Sequence, residues 1–364
     1  MKKRTLWMGL MLATVLSNAQ AELKGAGSSF ASQLYRSWSQ SIAKAPESRL
    51  DYAPVGSGAG IKAAQDRTVD FGASDRPLNR AALAAAGLAQ FPAAIGGAVL
   101  MTSLPGIDSE KIKLDGDVVA RIYLGTIKKW NDPAIQALNP DLPLPATAVV
   151  PVFRSESSGT SFVLTSYLSK INANFKTDIG PTSNLSVSTG RGGKTSTEII
   201  KVVRETAGAI GYVDYSIAMD LGLPTVQMKN QWGKFVKANH DSLQLAMRAA
   251  DWELMSIDQD PTFEMDLTDT GCPGCWPIAS ATYVLVPLKD QNTNSVRVLD
   301  FFEQALQRGD EIAIKEGYVP LPSRAKNMIN VAMRRWYSSL EKSGVGKSQR
   351  KSEGGSEGVA MASR

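Results

Sequence analysis

Three short loops rich in glycine and serine contain the first residues that could bind a ligand. They span residues 25–30, 56–60 and 155–161, and each lies between a predicted strand and a predicted helix. Helix N-termini carry unpaired N–H groups and a partial positive charge, serine hydroxyls add donors, and glycine lets the backbone approach a ligand closely. Three such loops, the last preceded by Arg154, predict a binding site for an oxyanion.

Three charged residues are further candidates for such a site. Asp75 follows the strand-like segment 69–74, and ligands of α/β sheets bind at the carboxyl ends of strands. The alternative is that Asp75 only caps the next turn. Arg154 and Glu156 are two positions apart in an extended segment, so they lie on one face. They form either a structural ion pair or a unit in which Glu156 holds the Arg154 guanidinium towards an oxyanion.

Other ligand and catalytic motifs are incomplete. The segment 56–61 lacks the third glycine of a dinucleotide-binding loop, and the segment 193–195 lacks the first glycine of a P-loop, which falls on Ser188. No GxSxG nucleophile elbow occurs in the segment 22–340. The single histidine, His240, excludes a His-rich metal site and leaves one candidate base for a Ser/His/Asp or Cys/His arrangement.

The two cysteines, Cys272 and Cys275, form a C-P-G-C sequence. A redox pair or half of a zinc site would fit this spacing in the cytosol, but there is no second cysteine pair. A redox CxxC should also open a helix after a strand. In an oxidising compartment this spacing favours a disulfide that staples a small loop.

The N-terminus has the three parts of a secretory signal peptide. Lys2, Lys3 and Arg4 precede an apolar stretch at 6–16, and Ala19-Gln20-Ala21 fits a cleavage site before Glu22. The apolar stretch is shorter than the roughly 20 residues of a membrane anchor. We therefore expect residues 1–21 to be removed and the mature protein to be periplasmic, with secretion as a further possibility.

The net charge of +5 arises outside the predicted folded part. The signal peptide removes three basic residues, and the Gly/Ser-rich segment 341–364, predicted to be a disordered tail, carries five basic and three acidic residues. The segment 22–340 then holds 32 residues of each sign. A general nucleic-acid or polyanion binder is therefore disfavoured.

Short strands alternate with helices along the chain and predict an α/β fold. Strands are expected at 95–103, 149–154 and 282–286, and helices at 61–67, 162–171 and 325–340. Ser28 or Ser29 is expected to cap the first helix.

Several segments together resemble the family of periplasmic phosphate-binding proteins of bacterial high-affinity phosphate ABC transporters. They are 25–30 (GAGSSF), 69–75 (VDFGASD), 123–130 (YLGTIKKW), 154–162, 208–213 (GAIGYV) and 276–278 (WPI). The resemblance covers nearly all of 22–338. It implies a two-lobed type II binding protein with mixed sheets flanked by helices and a ligand cleft between the lobes. Lobe one is expected at 22–102 plus 278–340, and lobe two at 103–277.

The resemblance also implies a set of phosphate-binding residues. Ser29 would supply a hydroxyl, Phe30 a backbone N–H and Ser57 another donor, while Asp75 would accept a ligand proton. Arg154 would make the charged contact, with Glu156 orienting it, and the helix N-terminus would close the site through Ser158, Gly159 and Thr160. Ser29 stands where the family often has threonine, and Glu156 where a relative has aspartate, so the reach of both groups differs.

The implied function is periplasmic binding of inorganic phosphate and its delivery to the permease subunits of an ABC transporter. The protein is expected to be a monomer without cofactor or metal, and not an enzyme. Asp75 supports phosphate over sulfate, because phosphate keeps a P–OH donor at neutral pH and sulfate has none. The alternatives are a secreted phosphatase-like enzyme and an extracellular interaction or adhesion protein that uses the same scaffold.

Overall fold

The computed structural model of the chain describes residues 22–43, 48–250, 262–288 and 294–342. The predicted signal peptide, residues 1–21, lies outside these ranges. So does most of the predicted tail, although the last helix continues through Lys342, one residue past the predicted start of the tail at 341. Within the described ranges, no helix is both long and apolar enough to cross a membrane.

The strands of the described residues form one large and one small sheet. In chain order they are β1 (Leu23–Gly27), β2 (Leu50–Ala53), β3 (Phe71–Ser74), β4 (Leu88–Ser103), β5 (Lys113–Leu114), β6 (Val150–Arg154), β7 (Arg191–Gly193), β8 (Ala209–Asp214), β9 (Gln227–Lys229), β10 (Phe235–Val236) and β11 (Ala279–Pro287). The large sheet has the order β2-β1-β3-β11-β4-β8-β6-β7, and β10-β9-β5 form the small one. The small sheet was not predicted, because its strands are only two or three residues long.

Helices of the described residues pack around these sheets. In chain order they are α1 (Ser32–Ile42), α2 (Ser57–Gln65), α3 (Arg80–Ala86), α4 (Gly116–Tyr123), α5 (Pro133–Leu138), α6 (Gly159–Ile171), α7 (Ala173–Asp178), α8 (Ser196–Glu205), α9 (Tyr215–Asp220), α10 (His240–Ala249), α11 (Ser295–Arg308), α12 (Asp310–Lys315) and α13 (Ser323–Lys342). The predicted α/β class, with a mixed sheet flanked by helices, is confirmed.

The long strand β4 belongs to two parts of the large sheet. Its residues 88–97 pair with β11, and its residues 98–103 pair with β8. We call β2, β1, β3, β11 and residues 88–97 the first half-sheet, and residues 98–103, β8, β6 and β7 the second half-sheet. The prediction placed the start of this strand at 95, seven residues too late.

A β-bulge explains how β4 includes Pro92, a residue that cannot donate a ladder hydrogen bond. On β11, Thr282 pairs with Ala94 and the next residue, Tyr283, pairs with Pro92, so the register shifts between them. One residue of β4, Ala93, is left out of the pairing. Bulges are among the few positions where a sheet tolerates proline.

The direction of β4 brings the carboxyl ends of the strands of both half-sheets together. β1, β2 and β3 are parallel, and β11 is antiparallel to both β3 and β4, so β4 runs in the same direction as β3. β8 runs against β4 and parallel to β6. The carboxyl ends of both sets of strands therefore point towards Gly97 and Ala98, where β4 changes partners. The carboxyl end of β8 is fixed there by the pairing of Asp214 with Ala98.

The indole N–H groups of three fully buried tryptophans each donate to a backbone carbonyl. The indole N–H of Trp276 donates to the carbonyl of Ala98 at 3.0 Å, and those of Trp38 and Trp130 donate to the carbonyls of Gly309 and Gly208. The Trp276 bond holds β4 at the residue where it changes partners. Buried polar groups of this kind need a partner, so the tryptophans fix the packing as well as filling it.

The predicted disulfide between Cys272 and Cys275 is confirmed. The side-chain amide of Asn230 donates to the carbonyls of Cys272, Pro273 and Cys275, so it holds the loop from inside. Cys275 is fully buried. Together these contacts give the disulfide a structural role as the staple of a tight turn.

Replacing both cysteines by alanine (Cys272→Ala with Cys275→Ala) removes a cross-link that restricts the unfolded chain. Because the closed loop is very short, the free energy of unfolding is expected to fall by only about 2 kcal/mol. Thermal unfolding with and without reductant measures the effect. Reductant should reproduce the loss in the natural protein and leave the double variant unchanged. A natural protein whose unfolding midpoint does not respond to full reduction would contradict the assigned role.

Candidate functional site

A small cavity lies between the two half-sheets, next to the point where β4 changes partners. The residues that line it are Phe30, Asp75, Gly97, Ala98, Thr160, Val163, Asp214 and Ser280. Phe30, Asp75 and Thr160, predicted from three separate segments of the sequence, thus surround one cavity. The sequence analysis did not predict Asp214 as a member of the site.

Asp75 reaches the cavity from the end of β3 and is 5% exposed. Its Oδ2 accepts the hydroxyl of Ser28 at 2.6 Å, and its N–H donates to Oγ of Ser57 at 3.1 Å. Its other carboxylate oxygen, Oδ1, is buried and has no hydrogen-bond partner. The next helix is capped by Asn79 rather than by Asp75. Asp75 therefore offers a free acceptor beside the cavity, as a ligand-binding carboxylate would.

The first loop places Ser28, rather than Ser29, against Asp75. The Ser28 hydroxyl donates to Asp75 and also accepts the N–H of Phe30 at 3.0 Å. Ser29 is half-buried, and its carbonyl accepts the hydroxyl of Ser32. The prediction that Ser28 or Ser29 caps α1 is wrong, because the N-cap residue is Ala31 and no side chain caps this helix. Asp75 binds the Ser28 hydroxyl instead.

Arg154 ends β6 and is 5% exposed. Its Nε donates to the carbonyl of Lys194 at 2.8 Å, and its N–H donates to the Tyr212 hydroxyl at 3.1 Å. The Nε bond fixes the guanidinium, the backbone N–H bond fixes the end of β6, and both terminal amino groups are left without a hydrogen-bond partner among the described residues. Glu156 is exposed and forms no ion pair with Arg154 in the part of the chain that the structure describes. The backbone of Lys194, rather than Glu156, orients Arg154 in this structure.

Helix α6 begins at Gly159, three residues earlier than predicted, because Ser158 acts as its N-cap. The Ser158 Oγ accepts the N–H of Ser161 at 3.3 Å. The N–H groups of Gly159 and Thr160 precede the first intrahelical bond and have no backbone acceptor. The first turn of α6 thus provides N–H donors and the positive end of a helix dipole at the cavity.

Asp214 reaches the cavity from the opposite side to Asp75, at the end of β8, and is 2% exposed. Its Oδ1 accepts the Thr160 hydroxyl at 2.8 Å, whereas its Oδ2 is buried without a partner. Segment 208–213, one of the segments that carry the family resemblance, ends one residue before Asp214. A carboxylate directly after a buried strand, which identified Asp75, was also the signal available for Asp214.

Both carboxylates are harder to ionise than aspartates in water. Burial raises the pKa of Asp75 to about 7, and repulsion from the Asp214 carboxylate contributes. Burial also raises the pKa of Asp214 to about 6, although the Thr160 hydroxyl and Arg154 favour its charged form. Arg154 supplies one positive charge opposite two carboxylates, so ionisation of both leaves one charge uncompensated.

Gly159, the first residue of α6, lies directly against residues that follow strands of the first half-sheet. A β-carbon at this position would lie 2.3 Å from both Oδ2 of Asp75 and Oγ of Ser57. At Gly58 a β-carbon would lie 2.2 Å from Oγ of Ser157. Real β-carbons do not approach other atoms this closely, so glycine at these two positions allows α2 and α6 to meet over the cavity.

The fold and the arrangement of this cavity define a class of proteins. A model of the PBP superfamily domain matches residues 14–293 of the chain. Among solved structures, a high-affinity periplasmic phosphate-binding protein with bound phosphate aligns with a TM-score of 0.65 over 85% of this chain and 92% of its own, at 19% identity. A phosphate ABC transporter substrate-binding protein from Clostridium perfringens, described as putative, aligns with a TM-score of 0.59 over 83% of this chain and all of its own, also at 19% identity. The chain therefore has the two-lobed fold of the periplasmic binding proteins.

Relatives in sequence narrow the class to one family. The phosphate-binding protein PstS of Haemophilus influenzae is 36% identical over 342 residues, which is 94% of this chain and 100% of the relative. The PstS protein of Xylella fastidiosa is 36% identical over 321 residues, 88% of this chain and 86% of the relative. The chain belongs to the PstS family of phosphate-binding proteins.

The raised pKa of Asp75 predicts how stability changes with pH. In the unfolded chain Asp75 ionises near its ordinary pKa of 3.8, and in the fold near 7. The folded state therefore holds the proton more tightly, so the free energy of unfolding falls as the pH rises from about 4 to about 7. Asp75→Asn should remove this fall and stabilise the ligand-free protein at pH 8 by on the order of 2 kcal/mol, with little effect at pH 4.

Urea unfolding of ligand-free protein at several pH values measures this difference. Asp132→Asn is a matched control, because Asp132 caps α5 outside the cavity and asparagine caps a helix as well as aspartate does. Parallel pH profiles for the natural protein and Asp75→Asn would contradict the assigned burial cost.

Proposed function

We propose that this protein binds inorganic phosphate and delivers it to the permease subunits of an ABC transporter. The observation that supports it most directly is the convergence of both kinds of hydrogen-bonding group on one cavity. Thr160 in the first turn of α6 supplies a donor, Asp75 supplies a buried acceptor without a partner among the described residues, and the charge of Arg154 acts on both Asp75 and Asp214. Membership of the PstS family supports the same ligand and the same transporter.

The donors at the cavity match a small oxyanion. The terminal amino groups of Arg154 can make two parallel bonds to neighbouring oxygens. The N–H groups of Gly159 and Thr160 add donors of a helix N-terminus, and the Ser158 and Ser57 hydroxyls, which accept one bond each, keep their protons for a ligand. Backbone dipoles hold much of the anion's charge, so the site does not need a strongly basic surface.

The structure supports the remaining predicted binding residues to different extents. The Phe30 ring lines the cavity, but its N–H already donates to Ser28. Ser29 and Glu156 stay predictions that rest on the resemblance, because Ser29 is half-buried and Glu156 is exposed in this structure. We add Ser28 to the proposed site as the hydroxyl that holds Asp75.

The free carboxylate oxygen of Asp75 would make the proposed site selective for phosphate over sulfate. A phosphate ion with a P–OH can donate to Oδ1 of Asp75, whereas sulfate brings only further lone pairs to a buried carboxylate. Leaving such a charged group unsatisfied costs about 1–3 kcal/mol or more. Asp75 is therefore proposed as the residue that rejects fully deprotonated oxyanions.

The fold suggests how the site opens and closes. We propose that the two half-sheets with their helices are the two lobes, 22–102 plus 278–340 and 103–277, and that the lobes separate to admit the ligand. The close approach of Gly159 to Asp75 and Ser57 supports the proposal that the lobes are closed in this structure. Closure excludes water from the cavity and so strengthens each polar contact. A monomer exported to the periplasm, after removal of residues 1–21, fits this role.

The selectivity proposal is tested by calorimetric titration with phosphate, sulfate and arsenate. The natural protein should bind phosphate, fail to bind sulfate, and bind arsenate in competition with phosphate, because arsenate matches phosphate in size and protonation. Asp75→Asn should weaken phosphate binding roughly 10–100-fold and narrow the preference over sulfate. Strong sulfate binding by the natural protein would contradict the role of Asp75. Turnover of a chromogenic phosphate ester would instead support an enzyme.

The closure proposal is tested by Gly159→Ala. The added methyl group would meet Asp75 and Ser57 across the cleft, whereas alanine suits a helical position better than glycine does. The variant should therefore keep or raise its unfolding temperature and lose at least about 100-fold in phosphate affinity. Gly271→Ala is the matched control, because its methyl group meets only the flexible end of Gln231. Unchanged affinity in Gly159→Ala would mean that the closed contact is not needed for binding.

A further inference from the structure

Each half-sheet contributes one buried carboxylate to the cavity, and the two carboxylates are held in the same way. Asp75 and Asp214 both end or follow a strand of their half-sheet, and each accepts a hydroxyl from a nearby loop or helix start. Each also has a second oxygen, Oδ1 of Asp75 and Oδ2 of Asp214, that is buried without a partner. Both residues line the cavity. The binding site as proposed uses the free oxygen of Asp75 but leaves that of Asp214 without a role.

A structural role accounts for only one of the two Asp214 oxygens. Its Oδ1 accepts the Thr160 hydroxyl, which fixes the start of α6. Because a threonine hydroxyl has a single proton, Thr160 can then offer a ligand its N–H but not its O–H. A buried carboxylate oxygen without a donor is costly, and a proton on a bound ligand would satisfy it.

Proton-carrying groups other than the two carboxylates surround the cavity but keep one charge state near neutral pH. Arg154 remains charged. The tyrosines that face the carboxylates from neighbouring elements have pKa values raised above the ordinary value by burial, so they stay protonated; they are Tyr35, Tyr52, Tyr212, Tyr283 and Tyr318. Thr282, whose hydroxyl lies near Asp75, does not titrate. Glu156 and Lys194 are exposed.

We propose that Asp214 is a second acceptor for ligand protons, so that bound phosphate shares two protons with Asp75 and Asp214, one directed at each carboxylate. This inference rests on the proposed function and specifies the ionic form of its ligand. Asp214 becomes a specificity-determining residue of the second half-sheet, as Asp75 is of the first.

The protons of this complex can come from two sources. Monobasic phosphate carries both of them into a site whose two carboxylates are ionised. Dibasic phosphate carries one, and the second is the proton that Asp75 and Asp214 share in the ligand-free site, or it is taken from water. Every route gives the same complex, with two protons among three groups. At a pH above the pKa values of both carboxylates and of the ligand, binding therefore takes up about one proton.

The proton count of binding tests this inference. Titration calorimetry with inorganic phosphate at about pH 8.5, in two buffers of different ionisation enthalpy, gives the number of protons taken up. The natural protein should take up about one proton, and its affinity should fall about tenfold for each further pH unit. In Asp214→Asn the complex needs only the proton directed at Asp75. The variant should therefore take up nearly none, and its affinity should become nearly independent of pH in this range.

Two controls separate the possible outcomes. Asp115→Asn replaces the N-cap of α4 outside the cavity and should keep the proton uptake of the natural protein. If Asp214 only positions Thr160, Asp214→Asn weakens binding but keeps the proton uptake, and the inference is wrong. If the variant does not fold, the proton uptake of the natural protein tests the inference by itself. A natural protein that binds phosphate at this pH without taking up a proton does not accept a second ligand proton, and the inference is then wrong. A natural protein that does not bind phosphate at all would instead overturn the proposed function.

Discussion

A carboxylate that leaves water must find hydrogen-bond donors or keep its proton, and this requirement shapes the centre of the molecule. Asp75 and Asp214 are both buried beside one cavity, and the charge of Arg154 acts on both. A hydroxyl satisfies one oxygen of each, from Ser28 and Thr160. Their other oxygens are buried and have no hydrogen-bond partner among the described residues. The fold therefore holds two acceptors ready at a cost to its own stability, which is the usual condition of a preorganised site.

The geometry that holds this pair depends on one strand. β4 runs parallel to β3 in the first half-sheet and antiparallel to β8 in the second, so the carboxyl ends of both strand sets face its middle. Helices that begin there, α2 and α6, bring their N-terminal donors to the same place. Ligand sites at the carboxyl ends of strands are general in α/β sheets, and here two such edges face each other across one cleft.

Sequence alone was sufficient for the class of fold. Because local patterns determine strand ends and helix starts, the sequence also predicted Phe30, Asp75 and Thr160, which the fold brings to one cavity. The bonds made inside the site depend on distances between segments far apart in the chain. For that reason the sequence could not show that the hydroxyl bound to Asp75 belongs to Ser28 rather than Ser29. It also predicted that the Glu156 side chain orients Arg154, whereas in the structure the Arg154 Nε donates to the carbonyl of Lys194.

Tertiary context also explains the elements that were missed. The first half of β4 contains Pro92 and Gln90, which are unusual in a central strand, and only the bulge opposite Thr282 and Tyr283 makes the proline acceptable. Asp214 stands directly before α9, where an aspartate would normally be taken for a helix cap. Its side chain makes no capping bond and turns to Thr160 instead.

The position of β11 in the large sheet has a consequence for the order in which the chain can fold. β11 lies between β3 and β4, although about 175 residues of chain separate it from β4. The first half-sheet is therefore incomplete until Pro287 is available, whereas β8, β6 and β7 pair with the end of β4 from a continuous stretch of chain. A chain that crosses a membrane from its N-terminus would assemble the second half first. Asp75 would stay in water until almost the whole polypeptide had crossed the membrane. The cavity that Asp75 lines would therefore be completed late.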